Sequence, residues 1–142
     1  AGVTIGVHVL QFGFLLGRTW LGIRETPLLH QLLPRTGPEK VVFVFLSLAA
    51  GMGEELAFRG FAIPTLALVT GSDWGAALIS SMAFGVLHAY QGWLGILRTG
   101  AMGLLLAASF ILSGSLWPAI LAHAILDLVS GLLLGETLLR ES

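Results

Sequence analysis

The run GMGEELAFRGF, residues Gly51–Phe61, places Glu54, Glu55 and Arg59 within otherwise apolar sequence. Val41–Leu48 before it carries no charge and one hydroxyl, Ser47; Ala62–Val69 after it carries no charge. On insertion scales a charged side chain at the bilayer centre costs roughly 2.5–3.5 kcal/mol. Three charges within the six residues Glu54–Arg59 therefore need a reason. On a helix Glu55 and Arg59 stand i, i+4 with the glutamate N-terminal, the favourable order for a pair. Glu54 is rotated by about 100° from Glu55 and has no such partner. A bland reading is a buried ion pair beside a spare, solvated carboxylate. Ionisable groups within a membrane mark function by default, so Glu55–Arg59 reads as a brace and Glu54 as the working carboxylate.

Working outward, the composition is that of a membrane protein. The 142 residues are 56% hydrophobic and 11% charged, with mean hydropathy +0.91. A soluble domain carries roughly 25% charged residues. The net charge of −1 offers no basic surface, and no nucleic-acid partner is expected; the expected surroundings are membrane lipid. Nineteen glycines suit close helix packing in lipid. The absence of cysteine excludes a thiol nucleophile, a disulfide framework and a Cys-ligated metal. The chain opens at Ala1 inside an apolar run without a methionine. We expect part of a longer chain, with Ala1–Gly17 the tail of a longer helix rather than a signal peptide.

The pattern predicts an all-α, multi-pass transmembrane bundle of about five spans, forming one membrane-embedded domain over residues 1–142. Ala1–Gly17 is the first apolar segment, and its His8 reads as a packed or interfacial histidine. Residues 18–40 form the polar segment, read as a cytoplasmic loop and broken by Pro27, Pro34 and Pro38. Within it Leu28–Leu33 suits a short amphipathic turn at the interface. Val41–Thr70 is a second helix, longer than the hydrocarbon core requires, so it must tilt or break, most simply at Pro64. Gly71-Ser72-Asp73 is a turn in which Ser72 or Asp73 caps the next helix. Trp74 to about Leu97 is a third span. Gly100–Leu112 is a fourth, its start falling anywhere back to Trp93. Ser113-Gly114-Ser115 is a turn, Leu116–Leu134 a fifth span with Pro118 in its tolerant first turn, and Gly135–Ser142 a polar tail. With alternating spans, Arg18, Arg24, Arg35, Lys40, Arg98 and Arg140 share one side, which reads as cytoplasmic. Arg59 is the exception.

Three clusters carry polar chemistry inside apolar segments: Glu54-Glu55-x-x-x-Arg59, Phe84-x-x-x-His88 and His123-x-x-x-Asp127. Each histidine alone is explained by a satisfied contact between helices. Jointly they point elsewhere, because an unpartnered polar group in lipid costs several kcal/mol. Bringing Glu54, His88, His123 and Asp127 to one wet cavity satisfies all of them. Such a set can activate a water or bind a metal. There is no H-E-x-x-H zinc motif and no aspartyl dyad. Ser80 and Ser81 lack the G-x-S-x-G context; a Ser–His pair has no support beyond composition.

The ordered motifs EExxxRGF, FxxxH and HxxxD, over Gly51–Asp127, resemble the CAAX-prenyl-protease and bacteriocin-processing (Abi, CPBP) family, which includes the Ras-converting endopeptidases. The resemblance implies an intramembrane endopeptidase without a cofactor, acting on a peptide or membrane-protein substrate. By position it implies Glu54 as general base, His88 as the partner that holds the water, and His123 with residue 127 on the oxyanion side. Glu55, Arg59 and Phe84 would support them. The setting expected is a bacterial cell membrane. Residue 127 is Asp where well-described eukaryotic members have Asn. An ionised carboxylate opposes an oxyanion, so Asp127 would be protonated, or would orient His123. A zinc-dependent peptidase with Glu54, His88, His123 and Asp127 as ligands is the second reading. A non-enzymatic binding or immunity-type membrane protein is the third.

Overall fold

The computed structural model describes residues 2–21, 26–133 and 135. Among these residues the chain is an all-α bundle without strands. The order is α1 (Gly2–Leu21), α2 (Pro27–Leu32), α3 (Gly37–Glu55), a π-helical segment (Leu56–Ala62), α4 (Ile63–Thr70), α5 (Asp73–Leu87), a 3₁₀ turn (Ala89–Gln91), α6 (Trp93–Ser113), α7 (Trp117–Leu128) and a second π segment (Val129–Leu133). Helix α5 packs on α6 and α4, α3 packs on α7, and α1 lies against α6 and α7.

Several boundaries differ from the sequence reading. The polar segment 18–40 is not one loop. Arg18 belongs to α1 and is buried, and α3 begins at Gly37, not Val41. The reason is a capping box. The Thr36 hydroxyl accepts from the Glu39 backbone N–H at 3.4 Å, and Glu39 Oε2 accepts from the Thr36 N–H at 3.1 Å. These bonds satisfy free donors of the first turn, where Pro38 is tolerated. The helix break anticipated at Pro64 lies just ahead of it. The wide turn of Leu56–Ala62 separates α3 from α4, and the Ile63 N–H bonds back five residues to Phe58. A proline in a straight helix collides with the carbonyl four residues back; a wider turn in front of Pro64 accommodates its ring. The third and fourth spans separate at Ala89–Gly92, so α5 ends at Leu87 and α6 starts at Trp93. Ser72 is the N-cap of α5, its hydroxyl accepting from the Gly75 N–H at 3.2 Å. Arg24, Arg140 and the predicted polar tail, apart from Gly135, lie outside the described residues.

The distribution of side chains is inverted relative to a soluble protein. Ala76, Ala77, Ala107, Ala119 and Ala122 are fully buried, while Leu68 and Val69 are 87% and 86% exposed. Small residues between helices and large apolar ones outside are the arrangement expected in lipid, where helices associate by close packing. Two helical stretches, Gly37–Thr70 and Trp93–Ser113, are long and apolar enough to cross a membrane. Gly2–Arg18, Asp73–Leu87 and Trp117–Leu133 are apolar but shorter.

The α3–α7 contact places the site. A side chain on Gly51 would meet the Ala124 backbone nitrogen and Cβ at 3.0 Å. This approach sets the C-terminal turn of α3, with Glu54 and Glu55, against His123 of α7.

Candidate active site

Glu55 and Arg59 form the pair that their spacing predicts. Arg59 Nη1 donates to Glu55 Oε1 at 2.8 Å, and both side chains are almost wholly buried. The second arm of the guanidinium, Nη2, donates to the Gly103 carbonyl of α6 at 2.8 Å. A Cβ on Gly103 would lie 3.1 Å from that nitrogen, so the missing side chain makes room for the arginine. The guanidinium also stands 4.7 Å from the centre of the Phe84 ring, a cation–π contact in a dry setting. Arg59 thus ties the π segment to α5 and α6.

Glu55 has a further role that spacing did not reveal. Its Oε1 also lies 2.7 Å from His123 Nδ1. A carboxylate accepts, so Nδ1 carries the hydrogen and Nε2 is turned to the cavity. The orienting partner of His123 is therefore Glu55, on another helix, and not Asp127. Asp127 Oδ2 lies 3.8 Å from the opposite ring nitrogen, Nε2.

His88 is set in the same way. It follows the last residue of α5 as its C-cap, so FxxxH sits at a helix end and not within a span. Its Nδ1 is 2.8 Å from the Phe84 carbonyl, which can only accept, and its Nε2 is the free edge. Phe84 is buried, with ring centres 4.6 Å from His88 and 5.9 Å from His123. One aromatic ring therefore backs both imidazoles and the arginine.

Glu54 faces this arrangement. Its Oε2 is 3.9 Å from His88 Nε2 and 3.8 Å from His123 Nε2. That oxygen is buried and makes no direct hydrogen bond. These separations exceed a direct hydrogen bond. Glu54, His88, His123 and Asp127, from three separate parts of the chain, share the wall of one cavity of about 300 Å³. Phe84, Ser47, Tyr90, Gln91 and Arg98 line it too. Among the described residues no group of three or more His, Asp or Glu is placed to hold a metal ion. Ser80 Oγ donates to the Phe58 carbonyl at 3.1 Å and is engaged away from the imidazoles. His8 is structural, its Nδ1 bonded to the Thr4 carbonyl of its own helix at 2.7 Å.

The all-α bundle carries large apolar side chains on its exterior and gathers two carboxylates and two imidazoles around one cavity. The family model of Rce1-like type II CAAX prenyl endopeptidases matches residues 37–129, from the first residue of α3 to just beyond α7. That span covers well over half the chain and all three motifs, and the chain belongs to this family. The family is membrane-embedded, and membership implies a peptidase with a peptide or protein substrate. No curated protein and no solved structure matches the chain.

Proposed function

We propose that this chain is a multi-pass intramembrane endopeptidase in which Glu54 activates the attacking water. The observation that carries the reading is the approach of Glu54 Oε2 to two imidazole Nε2 atoms whose opposite nitrogens are already committed. A water between Glu54 and His88 donates one hydrogen to each. Glu54 takes its proton as the oxygen attacks the scissile carbonyl carbon. The C=O π bond opens to an oxyanion, and Glu54 then delivers the proton to the departing amine nitrogen as the C–N bond breaks. His123 completes the site on the oxyanion side. With Nδ1–H held by Glu55, its Nε2 donates only in the imidazolium form. Asp127 donates there only as the neutral acid, since a carboxylate opposes an oxyanion.

The test uses purified protein in lipid nanodiscs and a library of quenched peptides. Glu54→Gln keeps the volume and removes the basic oxygen. It should lower cleavage by about 10²–10⁴ with an unchanged melting temperature, and His88→Ala should be comparably inactive yet folded. His123→Ala and Asp127→Ala should give graded losses near 10²–10³. Chelation with EDTA or phenanthroline should leave the rate unchanged. One zinc per chain, with activity lost on chelation and regained on adding zinc back, would transfer the same residues to a metallopeptidase. Parent-rate cleavage by Glu54→Gln would remove the reading altogether.

A further inference from the structure

A second, smaller cavity lies between the C-terminal end of α1 and the N-terminal end of α6. Its volume is about 90 Å³. Two arginines from separate helices, Arg18 and Arg98, stand on its wall, and no carboxylate is among the described residues that line it. Arg18 is only 7% exposed. Desolvating a cation is costly, so a buried arginine brought to a concave site beside a second arginine needs a reason. Arg98 is held in place: its Nη2 donates to Gln91 Oε1 at 2.6 Å, and the same oxygen accepts from Thr99 Oγ1 at 3.4 Å. A guanidinium carries five N–H donors in a planar fork that matches phosphate. A bond to one amide oxygen is therefore compatible with binding an anion as well.

The backbone adds to the positive field. Gly92–Gly95, the N-cap and first turn of α6, form another wall of the pocket. Gly92 brings no side chain to cap the first N–H groups of the helix, and this end of a helix carries positive partial charge. Aromatic residues mark the depth. Trp93 opens α6 and is 60% exposed, and Trp20 near the end of α1 is 87% exposed. Tryptophans gather at the headgroup level of a membrane. Phe14 and Leu15, one turn before Arg18 on α1, close the pocket on the side toward the apolar part of that helix.

We infer that this pocket binds the phosphate group of an anionic phospholipid, held by Arg18 and Arg98. A water needs roughly 10–15 Å³, so the pocket admits a phosphate group but not a whole lipid. Basic pockets between membrane helices are suited to such headgroups. Free phosphate offers the same chemistry to the arginines. The apolar wall and the exposed Trp93 at the rim favour a phosphate that arrives on acyl chains. A choline headgroup would set its own cation against two guanidiniums, so the preferred lipid carries net negative charge. The site is separate from the hydrolytic chemistry, and its test requires no cleavage.

The test is native mass spectrometry of the full chain in dodecyl maltoside, titrated with dioctanoyl phosphatidylglycerol or dioctanoyl phosphatidylcholine. One phosphatidylglycerol should bind per chain, roughly tenfold more tightly than phosphatidylcholine. Arg18→Gln and Arg98→Gln should each weaken it about fivefold. Arg18→Lys keeps the charge but loses the fork, and should fall between parent and Arg18→Gln. Arg98 is only half-buried, so Arg98→Gln decides the matter even where Arg18→Gln fails to fold. Arg35→Gln removes the same charge from the exposed segment before α3, outside the pocket, and should leave binding nearly unchanged. Equal affinity for the two lipids would overturn the inference. A loss with Arg35→Gln as large as with Arg98→Gln would also overturn it, reducing the effect to general surface charge. Displacement of the lipid by millimolar inorganic phosphate would overturn the lipid assignment in favour of free phosphate.

Discussion

At the scale of single residues the site is organised by one oxygen atom. Glu55 Oε1 accepts from Arg59 Nη1 at 2.8 Å and from His123 Nδ1 at 2.7 Å. The sequence showed the first bond, because i, i+4 spacing on a helix brings the partners together. The second joins residues 68 positions apart and has no signature in spacing. This sharing predicts how substitutions behave. Arg59→Ala leaves a buried carboxylate facing only His123 and removes the bond that ties the π segment to the Gly103 carbonyl of α6. Removing one member of a buried pair costs roughly 3–5 kcal/mol, so Arg59→Ala should reduce both folded protein and activity. Adding Glu55→Gln removes the uncompensated charge and retains an amide oxygen that accepts from His123 Nδ1. The double variant should recover yield and thermal stability relative to Arg59→Ala, read by size-exclusion recovery and melting in detergent. An Arg59→Ala protein that melts like the parent would show that the pair does not brace the helix.

At the scale of elements, the helices follow from apolar runs, capping residues and prolines, and most were legible for that reason. The π segment was not. Its wide turn combines a local cause, Pro64, with tertiary ones: Arg59 reaching the Gly103 carbonyl and Phe84 receiving the guanidinium. A hydrogen-bond register set by partners on other helices leaves no periodic trace. The break between α5 and α6 was blurred for a different reason. Ala89–Gly92 lies among apolar residues, and hydropathy averaged over a span does not resolve so short a turn. The α3–α7 approach at Gly51 is equally invisible without a partner helix in view. It predicts a contrast between two glycines of one helix. Gly51→Leu must push α3 away from Ala124 and lengthen the Glu55–His123 bond; overpacking of this kind costs about 1–3 kcal/mol. Gly53 has nothing within 4 Å of its missing Cβ, so Gly53→Leu should be tolerated, with a small gain from helix propensity. Melting temperatures and cleavage rates of the two variants check this. Equal behaviour would mean that the Gly51 contact does not position the site.

At the scale of the whole molecule, the issue is how the bundle sits in the membrane. We propose five spans, with α3 through α4 counted as one. Two stretches have the length to cross unaided, and the three shorter apolar helices pack against them. The structure ties the two polar ends on the predicted cytoplasmic side together. Thr26 Oγ1 donates to the Tyr90 carbonyl at 2.7 Å, α2 touches the Ala89–Gln91 turn, and a small pocket is lined by both Arg18 and Arg98. The segment before α3 and the α5–α6 turn therefore occupy one end of the bundle. Their basic residues favour the cytoplasmic face. The turns at Ser72 and Ser115 join the helices at their other ends and hold no lysine or arginine. In a chain without cysteine, single thiols report this directly. In sealed vesicles of known orientation, Arg35→Cys should be modified by a membrane-impermeant maleimide from one side, and Ser72→Cys and Ser115→Cys both from the other. Modification of Arg35→Cys and Ser72→Cys from the same side would mean that Gly37–Thr70 turns back within the bilayer. Opposite sides for Ser72→Cys and Ser115→Cys would mean that α5 and α6 together cross an odd number of times. Either result would break the alternation that places the basic residues on one face, and with it the five-span arrangement.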